Sequence, residues 1–139
     1  MSSCTLYIEP LDSAADALPS GSSRSRQLEA MRKYHHIGIP TTVPHPGETY
    51  LAGYKTYVAG FEESPYGVEW MRFEPGCALP QLVQTVPHVA FEVDSLEDEI
   101  AGKEILIAPN SPSPGVRVAF IVHNGAPIEL LELDDNIER

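Results

Sequence analysis

Two histidines and two glutamates stand at matching positions in two separate stretches of the chain, and their types suit metal binding. His36 and His88 each open an alternating apolar run, and Glu69 and Glu129 each lie inside a later apolar segment. A carboxylate buried among apolar neighbours without a partner is energetically costly, and a divalent cation would compensate for that cost. Imidazole nitrogens and carboxylate oxygens are suitable ligands for Zn²⁺, Ni²⁺, Mn²⁺ or Fe²⁺. The pattern therefore indicates a shared metal or ligand site.

Each of these residues has a simpler interpretation when it is considered alone. A single histidine in a strand is more often a hydrogen-bonded structural residue, and a single strand glutamate usually faces solvent. The repetition favours the shared site, because a histidine begins and a glutamate ends both copies. The copies are separated by about fifty residues, a spacing typical of internal repeats.

Alternating apolar residues between prolines and glycines predict a fold made mostly of short strands. A helix is predicted over 95–101, with Ser95 as its N-cap, and Asn124-Gly125 predicts a tight hairpin. The second half of the chain is therefore β-α-β-β-β, and the first half is a degenerate copy with a proline-broken segment in place of the helix. The predicted strands are 34–40, 53–61, 66–74, 86–94, 104–108, 116–123 and 127–133.

The composition changes near residue 30. Residues 1–30 are rich in serine and contain few strong strand or helix signals, which predicts an N-terminal extension. This extension is either partly flexible or packs on the domain as an additional strand and helix. The main domain is predicted over 31–139.

The charge balance excludes several classes of partner. Twenty acidic residues against nine basic ones give a formal net charge of −11, which argues against binding to nucleic acid or to an anionic membrane surface. The two cysteines, Cys4 and Cys77, form no framework, and no apolar run approaches the length of a membrane span. The first residues lack a signal-peptide pattern, so the protein is predicted to be cytoplasmic.

Three segments resemble the vicinal oxygen chelate superfamily, which includes glyoxalase I, bleomycin-resistance proteins and extradiol dioxygenases. They are residues 34–40 (YHHIGIP), 88–94 (HVAFEVD) and 127–132 (PIELLE), and the resemblance extends over about 34–133. It implies an α+β fold of paired βαβββ modules, about 34–75 and 86–133, that form an open curled sheet around a cavity. The first module would be degenerate.

The same resemblance implies a set of metal ligands, and position by position His36, Glu69, His88 and Glu129 match it. The activity expected from it is that of a metal-dependent lyase or isomerase of the glyoxalase type. Such an enzyme acts on a small oxygen-bearing substrate through a metal-stabilised enediolate, with Glu129 or Glu69 as the base. We therefore expect an enzyme, with a small molecule as its substrate.

Two alternatives remain open at this point. One is an extradiol-type iron dioxygenase that uses His36, His88 and Glu129 as a facial triad. The other is a non-catalytic binding or sequestration protein of the bleomycin-resistance type. In that protein the aromatic side chains would hold an apolar ligand, and the candidates are Tyr57, Trp70 and Phe73.

Other polar residues carry weaker expectations. His35 precedes His36 in the same strand, so strict alternation predicts that it lies on the opposite face in a structural role. His45 lies between prolines and is predicted to be a loop residue. Arg72, Arg117, Lys55 and Tyr57 are candidates for orienting an anionic substrate, and nothing in the sequence selects among them.

The resemblance also implies an oligomer. Members of the superfamily commonly dimerise, and the degenerate first module predicts an exposed sheet edge, which favours pairing with another chain. We expect a homodimer, with the metal site either within one chain or shared between two.

Overall fold

The computed structural model describes residues 32–134, which form eight strands and two short α-helices. The predicted extension over residues 1–30 lies outside the described residues. The first four strands are β1 (Arg32–Pro40), β2 (Thr49–Leu51), β3 (Thr56–Ala59) and β4 (Val68–Phe73), and helix α1 is Gln81–Thr85. The remaining elements are β5 (His88–Val93), helix α2 (Leu96–Ile100), β6 (Glu104–Ser113), β7 (Val116–His123) and β8 (Ala126–Leu133).

The eight strands form one mixed sheet in which the internal repeat is directly visible. The strand order is β2-β3-β4-β1-β5-β8-β7-β6. From the centre outwards, both halves therefore place their first strand innermost, then the fourth, third and second. In each half the first and fourth strands are parallel, and β1 and β5 join the halves as an antiparallel pair. The predicted α+β fold of paired modules is confirmed.

Residues near the two edges of the sheet line the same cavity, which shows that the sheet is curled. Leu51 and Tyr54 come from the β2 edge and Ile107 and Asn110 from the β6 edge, and all four line one cavity. The Tyr54 hydroxyl donates a hydrogen bond to Asn110 Oδ1 at 3.4 Å and so joins the two edges. Only a sheet that bends round on itself can bring its edges this close.

Helix α2 covers the outer face of the second module. Ser95 is its N-cap, as predicted, and its hydroxyl accepts a hydrogen bond from the backbone N–H of Asp98. Leu96 is fully buried against Val93, Ala119, Ile121 and Leu130, which are the side chains that point away from the cavity. Burying a leucine contributes about 1.5–3 kcal/mol, so this cluster anchors the second module.

A loop takes the place of this helix on the outer face of the first module. The His45 imidazole stacks on Trp70 with ring centroids 4.9 Å apart, and Arg72 donates hydrogen bonds to the Glu48 carboxylate. The Arg72 guanidinium also lies 4.2 Å from the centre of the Tyr57 ring. These contacts show how a proline-broken segment can cover a sheet without forming a helix.

These positions correct two expectations about ligand binding. Tyr57, Trp70 and Arg72 alternate with Val58 and Met71, which line the cavity, so they point to the opposite face. None of the three lines the cavity, and neither does Phe73. The predictions that Arg72 and Tyr57 orient a substrate in this cavity, and that Tyr57 and Trp70 hold one there, are wrong, whereas Phe73 shares the strand phase of Met71.

The predicted secondary structure differs from the observed one at a few places. Strand β2 and helix α1 were not predicted, and β6 continues to Ser113, past the predicted end at residue 108. The predicted hairpin is confirmed, because Asn124 and Gly125 both have positive φ, 54° and 81°, between β7 and β8. Among the described residues, no helix is long and apolar enough to cross a membrane.

Candidate metal site

The four predicted ligands lie on the four central strands of the sheet. His36 is on β1, Glu69 on β4, His88 on β5 and Glu129 on β8. In the strand register, one small residue lies between each histidine and a glutamate two strands away. Ala90 pairs with both His36 and Glu129, and Gly38 pairs with both His88 and Glu69.

His36, His88 and Glu129 converge closely enough to hold a metal ion. Glu129 Oε1 lies 3.2 Å from His36 Nε2 and 3.0 Å from His88 Nε2. One ligand atom from each residue lies within 4.8 Å of the other two. Both histidines are buried, and their Nε2 atoms face the same carboxylate oxygen. Two imidazoles and one carboxylate are a donor set suited to a divalent transition metal with open positions for substrate.

Glu69 lies next to the His36, His88 and Glu129 group but does not belong to it. Its Oε1 lies 3.7 Å from His36 Nε2, and it lines the cavity together with His36 and Glu129. This distance is too long for a hydrogen bond, and the Glu69 side chain makes none with the other residues of 32–134, so its carboxylate is available to a ligand. The structure thus places Glu69 beside the three converging residues, and the four-ligand set stays a prediction.

Burial and the neighbouring charges shift the pKa values of Glu129 and His36 in opposite directions. Burial favours the uncharged form of Glu129, but the hydrogen bonds and charges of His36 and His88 outweigh it and hold its pKa well below the usual range. Burial also disfavours a charged His36, but the hydrogen bond to Glu129, with the charges of Glu129 and Glu69, raises its pKa. Burial is the main cause that raises the pKa of Glu69. The group therefore favours a carboxylate at Glu129.

His35 does not lie on the opposite face from His36, so that prediction is wrong. Tyr34 pairs with Phe91 and His36 with Ala90, which leaves His35 as the extra residue of a β-bulge in β1. The bulge interrupts the alternation of side chains. It brings His35 Nδ1 to 2.8 Å from His36 Nδ1, with the two rings in an edge-to-face arrangement.

The cavity beside these residues is small and mostly apolar, with a volume of about 200 Å³. Apart from Thr56, its polar side chains lie in two groups: His36, Glu69 and Glu129 form one, and Tyr54 and Asn110 form the other. The apolar part of the lining consists of Leu51, Val58, Met71, Leu79, Val83, Ile107, Pro112, Val118 and Phe120.

Sequence reasoning missed Tyr54 and Asn110 as cavity residues. Asn110 belongs to the part of β6 that follows the predicted strand, where prolines hide the alternation. Tyr54 lies in a short 3₁₀ helix over Ala52–Tyr54, immediately before β3, a segment that was predicted as strand. The sequence contained no local signal that either side chain faces the site, because both reach it only through the curl of the sheet.

Comparison with known proteins finds no relative by sequence but does find similar solved structures. No protein-family model matches the chain, and no curated protein has significant sequence similarity to it. The structure is similar to that of hypothetical protein BH1468 from Bacillus halodurans C-125, with a TM-score of 0.57 and 21% identity, over 78% of this chain and 99% of that one. It also matches methylmalonyl-CoA epimerase from Mycobacterium tuberculosis, with a TM-score of 0.49 and 15% identity, over 75% of this chain and 89% of that one.

The topology defines the class of fold. A curled mixed sheet of two equivalent halves, joined through their first strands, fits the vicinal oxygen chelate fold. The His36, His88 and Glu129 group on its inner face could hold a metal ion.

Proposed function

We propose that this protein is a metal-dependent lyase or isomerase of the glyoxalase type that acts on a small oxygen-bearing substrate. The observation that carries the proposal is the convergence of donor atoms from His36, His88 and Glu129 at the wall of a small cavity. Glu69, whose carboxylate lies on the same wall, supplies the acid–base group that such chemistry needs.

His36, His88 and Glu129 would hold the cation, with Zn²⁺, Ni²⁺, Mn²⁺ and Fe²⁺ as the candidates. A bound divalent cation supplies Lewis-acid polarisation of substrate oxygens and stabilises the negative charge that develops on them. The donor set fits this role, because the Glu129 carboxylate already lies between two imidazole Nε2 atoms, at 3.2 and 3.0 Å. Buried side chains hold these donors, so little reorganisation is needed when a cation binds.

Glu69 is the proposed proton carrier. Glu129 is engaged with both imidazoles, whereas within residues 32–134 the one ion-pair contact of Glu69 is with His36, at 3.7 Å. A carboxylate in this position can accept a proton from one substrate carbon and return it to the neighbouring carbon. General acid–base catalysis of this kind contributes about 10²–10⁴-fold to a rate.

The rest of the cavity favours a small substrate with an apolar portion. Its volume of about 200 Å³ limits the size of the molecule, and apolar side chains from both modules form most of its wall. These side chains exclude water from the reacting carbons and would orient the apolar portion. Tyr54 and Asn110 could bind a second polar group of the substrate.

Metal binding is the first test. Protein stripped with a chelator and reloaded with each candidate ion is expected to retain about one ion per chain, as in an open catalytic site. Metal analysis after gel filtration measures this, and a His36→Ala, His88→Ala double variant should retain none. A wild-type chain that retains no ion would refute the proposal.

Proton transfer is the second test. The loaded protein is incubated in D₂O with a panel of α-hydroxy ketones and 2-oxo compounds, and exchange at the carbon next to the carbonyl is followed by proton NMR. Exchange that depends on the metal and is lost in Glu69→Gln is expected. A His45→Phe variant, changed on the outer face, serves as the matched control.

A binding or sequestration protein is the second candidate, because the cavity lining is largely apolar. Saturable binding of an apolar molecule with no exchange or turnover in the loaded protein would favour it. Oxygen uptake by the Fe²⁺-loaded protein would favour the dioxygenase, whereas Glu69 acting as a fourth ligand would argue against it, because oxygen and substrate need open positions on the iron.

A further inference from the structure

The ring of His35 is hydrogen-bonded to a proposed metal-binding residue. His35 Nδ1 and His36 Nδ1 lie 2.8 Å apart, while His36 Nε2 faces Glu129. A hydrogen bond between two ring nitrogens requires that one carries the proton and the other accepts it. The choice of tautomer at His35 and at His36 is therefore linked.

We propose that His35 is a positioning residue that accepts a hydrogen bond from Nδ1–H of His36 and so directs the Nε2 lone pair of His36 towards the metal. This inference rests on the proposed metal-dependent function. A neutral imidazole that binds a cation through Nε2 carries its proton on Nδ1, and in most metal sites that N–H donates to a nearby acceptor. His35 Nδ1 is the acceptor within reach, so His35 itself carries its proton on Nε2.

Two features hold the His35 ring in place. The β-bulge in β1 turns His35 towards His36, and the ring stacks on Phe61 with centroids 5.2 Å apart and planes 14° apart. Phe61 also contacts His36 edge-on, with centroids 5.7 Å apart. The two imidazoles and the phenyl ring thus form one packed unit that fixes the direction of the hydrogen bond.

The two proposed histidine ligands differ in whether their Nδ1 atom has a hydrogen-bond partner. His88 Nδ1 is buried and has no hydrogen-bond partner among the described residues. His36 is therefore the ligand whose protonated nitrogen has a partner. Loss of that partner is expected to weaken the metal site without removing any ligand.

The test compares zinc affinity across matched variants. His35→Phe keeps an aromatic ring on Phe61 but removes the acceptor, and it is expected to weaken zinc binding by about 10–100-fold, as for other partners of metal-bound histidines. His35→Asn, whose side-chain oxygen can accept in place of Nδ1, should recover most of the affinity. His45→Phe should bind zinc like the wild type, because His45 also stacks on an aromatic ring but lies on the outer face.

Nitrogen-15 NMR of the histidine rings gives a second measurement that needs no variant. In the zinc-loaded wild type, His36 should be protonated at Nδ1, and His35 at Nε2 with a bare Nδ1. A His35 protonated at Nδ1 in the loaded protein, or a folded His35→Phe chain with wild-type zinc affinity, would overturn the inference and leave the proposed function standing. A wild-type chain without affinity for any of the four candidate ions would overturn both.

Discussion

The imidazole of His88 occupies the space into which a side chain at position 38 would project. Gly38 and His88 pair across β1 and β5, and a Cβ atom at Gly38 would lie 2.8 Å from His88 Nε2 and nearer still to its Cε1. Gly38 is not among the glycines with positive φ, so space and not backbone freedom explains the glycine. Ala90 holds the equivalent position in the second module, between His36 and Glu129.

Gly38→Ala is therefore expected to displace His88 and weaken zinc binding. Overpacking at a buried position also costs about 1–3 kcal/mol of stability. Calorimetric titration with zinc and urea unfolding measure the two effects. Gly53→Ala is the matched control, because a Cβ at Gly53 would meet nothing within 4 Å. Wild-type zinc affinity in Gly38→Ala would show that His88 does not need this space.

The two glutamates are expected to play separate roles. Glu129→Gln should lower metal affinity by more than tenfold, because it removes the charge that faces both imidazoles. Glu69→Gln should retain the metal but lose about 10²–10⁴-fold in the rate of proton transfer. Metal retention and deuterium exchange, measured on the same samples, separate these effects. A Glu69→Gln chain that loses its metal would instead make Glu69 a ligand, as the sequence resemblance implies.

The Glu48–Arg72 pair predicts an acid-dependent change in stability. The hydrogen bonds from Arg72 hold the pKa of Glu48 at about 2, below the ordinary value of 4.5. Between these values the unfolded chain binds more protons, so the contribution of Glu48 is complete above pH 4.5 and is lost as the pH falls towards 2.

Urea unfolding of wild type and Glu48→Gln tests this prediction. The wild type should be more stable than the variant at pH 7, and the difference should shrink as the pH falls below 4.5. Glu62→Gln, a change at an exposed loop position, is the control. A difference that does not change between pH 7 and pH 2.5 would contradict the assignment.

The chain is expected to form a homodimer at micromolar concentration. Among the described strands, β2 and β6 are the sheet edges, and unpaired edges favour association. Light scattering measures the mass, and a monomer would refute the prediction. Since donors from both modules converge within one chain, dilution to monomers should leave zinc affinity unchanged. A loss of affinity on dilution would indicate a site shared between chains.

Most of the sheet could be predicted because alternation is a local property. Each of the seven predicted strands overlaps an observed one, and the helix capped by Ser95 is present. Strand β2 has only three residues and α1 only five, too few for a period to show. Their formation depends on a neighbouring strand and on the burial of Val83.

Strand phase also assigned a face to each of the four proposed ligands. Strand phase could not show which of these four side chains lie close together, because their distances depend on strand order and on the curl of the sheet. His36, His88 and Glu129 converge because β1, β5 and β8 are adjacent, whereas Glu69 lies across β1 from His88. Pairing between residues that are far apart in sequence decides these distances.

Local patterns along the chain specify the two copies, the strands that carry them and the residue types of the candidate metal site. Contacts between distant segments bring His35 to His36, require a glycine at position 38 beside His88, and turn Trp70 away from the cavity. A β-bulge arises from the pairing of β1 with β5, and a close approach arises from two strands at once. Neither the bulge nor the close approach changes the alternation of residue types in its own segment, because the strand that causes it lies about fifty residues away along the chain.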